Sequence, residues 1–156
     1  MTTIRSFVAF LVIVFIAAGS GAIFSPGAWY RSLDRPSWTP PDWVFPVVWS
    51  ILYFMIAIAG WLVWRAEGIG LALVVWGANL VVNAAWSWLM FGLRQIGLAL
   101  ADVALLWLLT VAFIFVAAPV DVRAAWLFVP YLVWVTIASA LNFEVWRRNP
   151  AVRTVQ

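Results

Sequence analysis

The sequence predicts an all-α integral membrane protein, a bundle of five transmembrane helices. Three observations predict it. The 156 residues are 67% hydrophobic and only 10% charged, whereas soluble domains are about half apolar and about a quarter charged. Mean hydropathy is +1.05, and a soluble domain of this size still exposes roughly a third of its chain surface to water. Finally, five stretches each reach the ~20 residues that a ~30 Å hydrocarbon core requires at ~1.5 Å rise per residue.

The first stretch runs over about residues 6–24. Arg5 ahead of it and the small residues Ala17–Ala22 also fit a secretory signal. The run is long for such a segment, so a first span is the expectation. The second span covers about 44–64, the third 71–91, the fourth 98–118 and the fifth 124–145. The breaks are Arg65-Ala-Glu-Gly-Ile-Gly70, Gly92-Leu-Arg-Gln-Ile-Gly97 and Pro119-Val-Asp-Val-Arg123. Each pairs charge with Gly or Pro, as a tight surfacing turn does. Turns this short make neighbouring spans antiparallel. The whole chain reads as one five-helix domain.

Residues 25–43 form the long connection. It holds Pro26, Pro36, Pro40 and Pro41 beside Trp29, Tyr30, Trp38 and Trp43. A merely solvated loop would be polar. This one is stiff and aromatic, and reads as a lid lying against the helix ends.

Orientation follows from the Arg residues near short loops. Arg5, Arg65 and Arg123 share one side. Arg31, Arg35, Arg94, Arg147, Arg148 and Arg153 share the other. The aromatic loop and the C-terminal end are therefore expected in the cytoplasm.

Composition excludes much chemistry. There is no Cys, His or Lys among the residues. Zinc, copper and haem-iron sites built on His or Cys are absent, and so are thiol and Schiff-base catalysis. No carboxylate pair has acid–base spacing and no phosphate-binding Gly-rich loop occurs. Despite a net charge of +3, the Arg residues are scattered singly, so a nucleic-acid surface is not expected. Thirteen Trp exceed an ordinary interfacial belt, which accounts for many but not all of them.

Polar groups within the spans are costly and therefore informative. Asn79, Asn83 and Trp86 share one face of the third span. They serve either as interhelical hydrogen bonds or as polar anchors in a cavity. Tyr131, Trp134, Ala138 and Asn142 share a face of the fifth span, begun by Pro130, which frees a backbone carbonyl. Pro46, Trp49 and Tyr53 form the matching stripe on the second. Three such stripes beneath an aromatic loop make a mostly apolar pocket with a few polar anchors. Asp102, early in the fourth span, is expected to pair with Arg94 rather than to relay protons, and Glu144 to pair with Arg147.

The run Trp29-Tyr30, Pro36-Ser-Trp-Thr-Pro-Pro-Asp-Trp-Val-Phe-Pro46, Trp49 and Leu52-Tyr53 resembles the TspO/MBR family of tryptophan-rich sensory proteins and translocator proteins, the latter once called peripheral benzodiazepine receptors. Asn83-Ala-Ala-Trp86, Phe91-Gly92, Pro130-Tyr-Leu-Val-Trp134 and Leu141-Asn142 extend the resemblance over nearly the whole chain. It implies a five-helix bundle, usually a homodimer, that binds protoporphyrin IX or related tetrapyrroles and hydrophobic drug-like molecules, with no cofactor required. It also implies a ligand site formed by Trp38 from the loop, Trp49 and Tyr53, Asn83, and Trp134 and Ala138. Some family members promote light-dependent porphyrin breakdown, and the two Trp implicated match Trp49 and Trp134. The family's sterol motif calls for Tyr between an apolar and a basic residue. Phe143 stands in that place, so sterol binding is not implied. Small residues at helical spacing, a feature of packed helix interfaces, are clearest at Ala17 and Gly21. The resulting expectation is a membrane receptor or sensor for porphyrin-like ligands. A tetrapyrrole transporter, a light-dependent porphyrin-degrading activity and a ligand-free scaffold are the alternatives.

Overall fold

The computed structural model describes residues 2–153. Helix α1 spans Thr3–Ile23, α2 Ala28–Ser32, α3 Val44–Glu67, α4 Leu71–Ser87, α5 Ile96–Ala117, α6 Val122–Arg148 and α7 Pro150–Arg153. A π-helical turn, Trp88–Gly92, extends α4. Five of these helical segments are long and apolar enough to cross a membrane. Each span predicted from sequence lies within a few residues of one of them. The chain is a multi-pass membrane protein.

The spans close into a ring in the order α1, α3, α6, α5, α4 and back to α1. Val14, Ile56, Val63, Phe113, Phe128 and Tyr131 fill its interior. The outward faces are apolar: Ile4, Val12 and Ile16 on α1, Ile51 and Phe54 on α3, Leu108 and Phe115 on α5, Trp126 and Val133 on α6 are all exposed. A helix that is hydrophobic on both its inner and outer faces is stable where lipid bathes the outer one.

Local chemistry sets the ends. α1 starts at Thr2, whose hydroxyl accepts from the Arg5 N–H at 3.3 Å, and α6 starts at Asp121, whose carboxylate accepts from the Arg123 N–H at 2.9 Å. These are the usual N-cap roles of Thr and Asp. α3 stops at Gly68, whose φ of 72° suits a residue without Cβ. Gly60 in mid-α3 has a packing reason. A Cβ there would overlap the Trp76 indole, which lies against α3 and donates to the Ile56 carbonyl at 2.9 Å.

The π turn was not expected from the sequence, which reads as uninterrupted helix to Phe91. Its widened bonds, Leu93 N–H to the Trp88 carbonyl at 2.8 Å and Gln95 N–H to the Leu89 carbonyl at 2.9 Å, rotate Met90 and Phe91 toward the long loop. Gly92 meets the Phe24 ring there. A Cβ would sit 2.9 Å from it.

The long loop is tightly seated. Tyr30 and Leu33 are buried with Met90, Ile96, Leu141 and Val145. Asp34 and Asn149 exchange two hydrogen bonds, 3.0 Å and 2.9 Å, between loop and α6. The loop thus lies at the C-terminal end of α6, and it carries the short helix α2 that the sequence did not announce.

Candidate functional site

The stripes meet at one cavity of about 500 Å³ beneath the loop. α3 contributes Pro46, Trp49, Ser50 and Tyr53, α4 Asn83 and Trp86, and α6 Trp134, Ala138 and Asn142. The π turn adds Met90 and Phe91. The volume falls within the 300–1,000 Å³ typical of small-molecule sites.

Aromatic rings set the shape of the wall. Trp49 stacks on Tyr53 with centroids 5.5 Å apart and planes at 25°. The Trp134 ring stands at 86° to Trp49, 6.4 Å away, and Phe45 meets Trp134 edge-on at 5.6 Å. The quadrupoles of aromatic rings favour such offset and edge-to-face arrangements. Ala138 lies one helical turn from Trp134, on the same face.

The polar groups at the site are joined in two networks. In the first, Tyr53 Oη donates to Asn83 Oδ1 at 3.4 Å, and Asn83 Nδ2 donates to Tyr131 Oη at 2.7 Å. Tyr131 then donates to Asn79 Oδ1 at 3.1 Å, Asn79 Nδ2 donates to Thr110 Oγ1 at 3.0 Å, and Thr110 donates to the Leu106 carbonyl at 2.7 Å. Four helices are tied by this chain. In the second, Trp86 Nε1 donates to Asn142 Oδ1 at 3.0 Å and Asn142 Nδ2 to the Ile96 carbonyl at 3.2 Å. One donor stays unused: Trp134 Nε1 is buried and has no hydrogen-bond partner among the described residues.

Of the residues singled out by sequence, Trp49, Tyr53, Asn83, Trp134 and Ala138 come together at the cavity. Trp38 does not. It is half exposed on the loop, while the connection supplies Tyr30, Arg31 and Asp42 instead, with Phe24 added at the end of α1. Burial pushes the Tyr30 phenol above its ordinary titration range, and the Arg35 guanidinium beside it opposes that shift. Arg31 and Asp42 face each other at 3.8 Å at the rim, both exposed.

Tyr131 and Asn79 are fully buried behind the wall. Asn79 is interhelical glue, whereas Asn83 both ties helices and lines the cavity. The α1 wall was missed. Ala18, Gly21 and Ala22 line the cavity, and the signal available for them was smallness at helical spacing. Gly21 faces the Ser87 hydroxyl, 3.7 Å from where a Cβ would be.

The expected Arg94–Asp102 pair does not form. The Arg94 guanidinium lies over the Trp29 ring at 5.7 Å, because the positive φ of 56° at Arg94 turns the chain toward the loop. Asp102 Oδ2 is buried without a hydrogen-bond partner among the described residues. Glu144 does pair with Arg147, at 2.8 Å, and also with Arg148 at 3.1 Å. Phe143, in the place of the sterol-motif Tyr, is exposed and packs on Trp146 at 6.0 Å.

Comparison with known proteins points one way. The sequence model of the TspO/MBR family matches residues 7–147. Protein CrtK of Rhodobacter capsulatus is 42% identical, over 96% of each chain. The tryptophan-rich sensory protein of Cereibacter sphaeroides is 41% identical over 92% of this chain and 90% of its own. The human translocator protein is 37% identical over 78% of this chain and 75% of its own. The chain belongs to the TspO/MBR family.

Proposed function

We propose that this protein is a membrane receptor or sensor that binds porphyrin-like tetrapyrroles, such as protoporphyrin IX, and comparable hydrophobic molecules in the cavity beneath the loop. The observation that carries the reading is the Trp134 indole: a buried N–H without a partner among the described residues, on the wall of a mostly apolar cavity of about 500 Å³. An unpaired buried donor costs stability, and a ligand acceptor seated against it removes that cost. The flat, stacked and perpendicular rings of Trp49, Tyr53 and Trp134 suit a broad planar ligand. Arg31 at the rim suits a ligand with an acidic end left at the mouth. In this reading the loop and the C-terminal end face the cytoplasm, the side with more Arg.

Ala138 supplies the test. Its small side chain, on the cavity wall one helical turn from Trp134, leaves room beside it. The purified protein is titrated with protoporphyrin IX in detergent, following quenching of Trp emission, with Ala138→Phe beside it. Saturable micromolar binding that Ala138→Phe weakens while helicity is kept supports the reading. Identical, non-saturating quenching of both proteins refutes it.

A further inference from the structure

The polar chain behind the cavity has a direction, and the direction has a consequence for what the cavity can hold. It ends on the Leu106 carbonyl, an obligate acceptor. At 2.7 Å from it, the Thr110 hydroxyl spends its single proton there. Thr110 Oγ1 therefore meets Asn79 as an acceptor, which fixes the Asn79 amide with Nδ2 toward Thr110 and Oδ1 toward Tyr131. Tyr131 must donate to that oxygen, so it accepts from Asn83 Nδ2. Asn83 Oδ1 is left facing Tyr53. Each step follows from the one before, and every proton bonded along the chain points away from Tyr53, its end at the cavity.

Tyr53 is the cavity end of the chain. Its proton points to Asn83, so its spare valence is an oxygen lone pair. Ser50, one turn earlier on the same wall, behaves alike: its hydroxyl donates to the Pro46 carbonyl at 2.6 Å. Both hydroxyls of α3 that line the cavity spend their protons inside the protein. The Tyr53–Asn83 contact is long at 3.4 Å. Yet a ligand acceptor that pulled the Tyr53 proton away would leave the Asn83 oxygen unpaired in a buried site. A ligand donor meets no such cost.

We propose that the α3 wall selects ligands that donate a hydrogen bond, because the polar chain from Tyr53 to the Leu106 carbonyl leaves Tyr53 as an acceptor and the Pro46 carbonyl does the same for Ser50. The class is a planar apolar molecule with an N–H or O–H at that edge. A secondary lactam or a pyrrole-type N–H fits. An ester, a tertiary amide or a carboxylate at the same place does not. This rests on the cavity being a ligand site, and it adds the sense of recognition at one wall.

The test uses one flat tricyclic lactam, phenanthridinone, and its N-methyl derivative. Both are titrated into the full-length protein in detergent by quenching of Trp emission. Wild type, Tyr53→Phe and Ala138→Phe are compared. A single hydrogen bond gives roughly a three- to tenfold preference for the N–H compound. Tyr53→Phe, which keeps the ring, is expected to reduce that ratio to about that left by the methyl group's bulk alone. A ratio unchanged by Tyr53→Phe overturns this inference while leaving the cavity as a binding site. A wild type that prefers the N-methyl compound does the same. If neither compound binds saturably, or Ala138→Phe affects neither, the cavity reading falls and this inference with it.

Discussion

Replacing Tyr131 by Phe removes one oxygen from the middle of the polar chain. The ring stays, with its stacking on Phe128 at 5.1 Å, so little apolar packing is lost. Two hydrogen bonds go: the 2.7 Å bond from Asn83 and the 3.1 Å bond to Asn79. Interhelical bonds in membrane bundles are worth ~0.6 kcal/mol on average and at most ~1.7 kcal/mol. Two of them give ~1–3 kcal/mol, and the upper end applies because Asn79 is fully buried and its Oδ1 finds no replacement donor. Reversible unfolding in mixed detergent–SDS micelles, followed by far-UV circular dichroism, measures the loss. Asn79→Leu and the double variant complete a thermodynamic cycle. Residues in one network are non-additive, by ~0.5 kcal/mol or more. A Tyr131→Phe variant within ~0.3 kcal/mol of wild type, or one whose effect adds simply to that of Asn79→Leu, refutes the pairing and with it the direction of the chain.

Three further outcomes follow from other parts of the bundle. Gly60→Ala places a methyl group against the Trp76 indole and is expected to cost ~1–3 kcal/mol by overpacking, read in the same unfolding assay; a neutral result contradicts the close α3–Trp76 approach. Thr110→Val removes the acceptor for Asn79 Nδ2 and is expected to destabilise by ~1–3 kcal/mol, the cost of a buried unpaired donor, while Thr110→Ser restores most of it. The Arg123 side chain, and its backbone N–H, hold the Asp121 carboxyl below the usual carboxylate range. A depressed folded-state pKa stabilises the fold above the unfolded value, near ~3.9, and that stability is lost as pH falls through the lower folded value. Asp121→Asn is therefore expected to be less stable than wild type at neutral pH, with the gap closing in acid; a gap independent of pH argues against the pair.

The spans were legible because lipid imposes a simple demand: about 20 apolar residues with punctuation between them. The polar stripes were legible for the opposite reason, since each Asn or Tyr at membrane depth needs a partner. Helical spacing gives the face a residue occupies but not its depth. That is why Tyr131 and Trp134, three positions apart, look equivalent in sequence, yet one lies behind the cavity wall and the other on it. The loop obeys no period. Four aromatic residues in it invite the same reading, and only three-dimensional packing separates buried Tyr30 from half-exposed Trp38. The α1 wall left no chemical mark, because Ala18, Gly21 and Ala22 act by leaving space. Arg94 was read as near enough to Asp102 to pair; the π turn and the positive φ that follows it direct the guanidinium to Trp29 instead.

The indole ties between helices have one more consequence. Trp61 donates to Ser6 at 3.1 Å, Trp76 to the Ile56 carbonyl, Trp86 to Asn142 and Trp107 to Thr136 at 2.9 Å. An elementary charge placed across a bilayer feels ~2.3 kcal/mol for each 100 mV of potential. These links carry no charge, so the electric field across an energised membrane exerts no net pull on them. Cohesion of the bundle at these four points therefore does not depend on moving charge through the membrane potential.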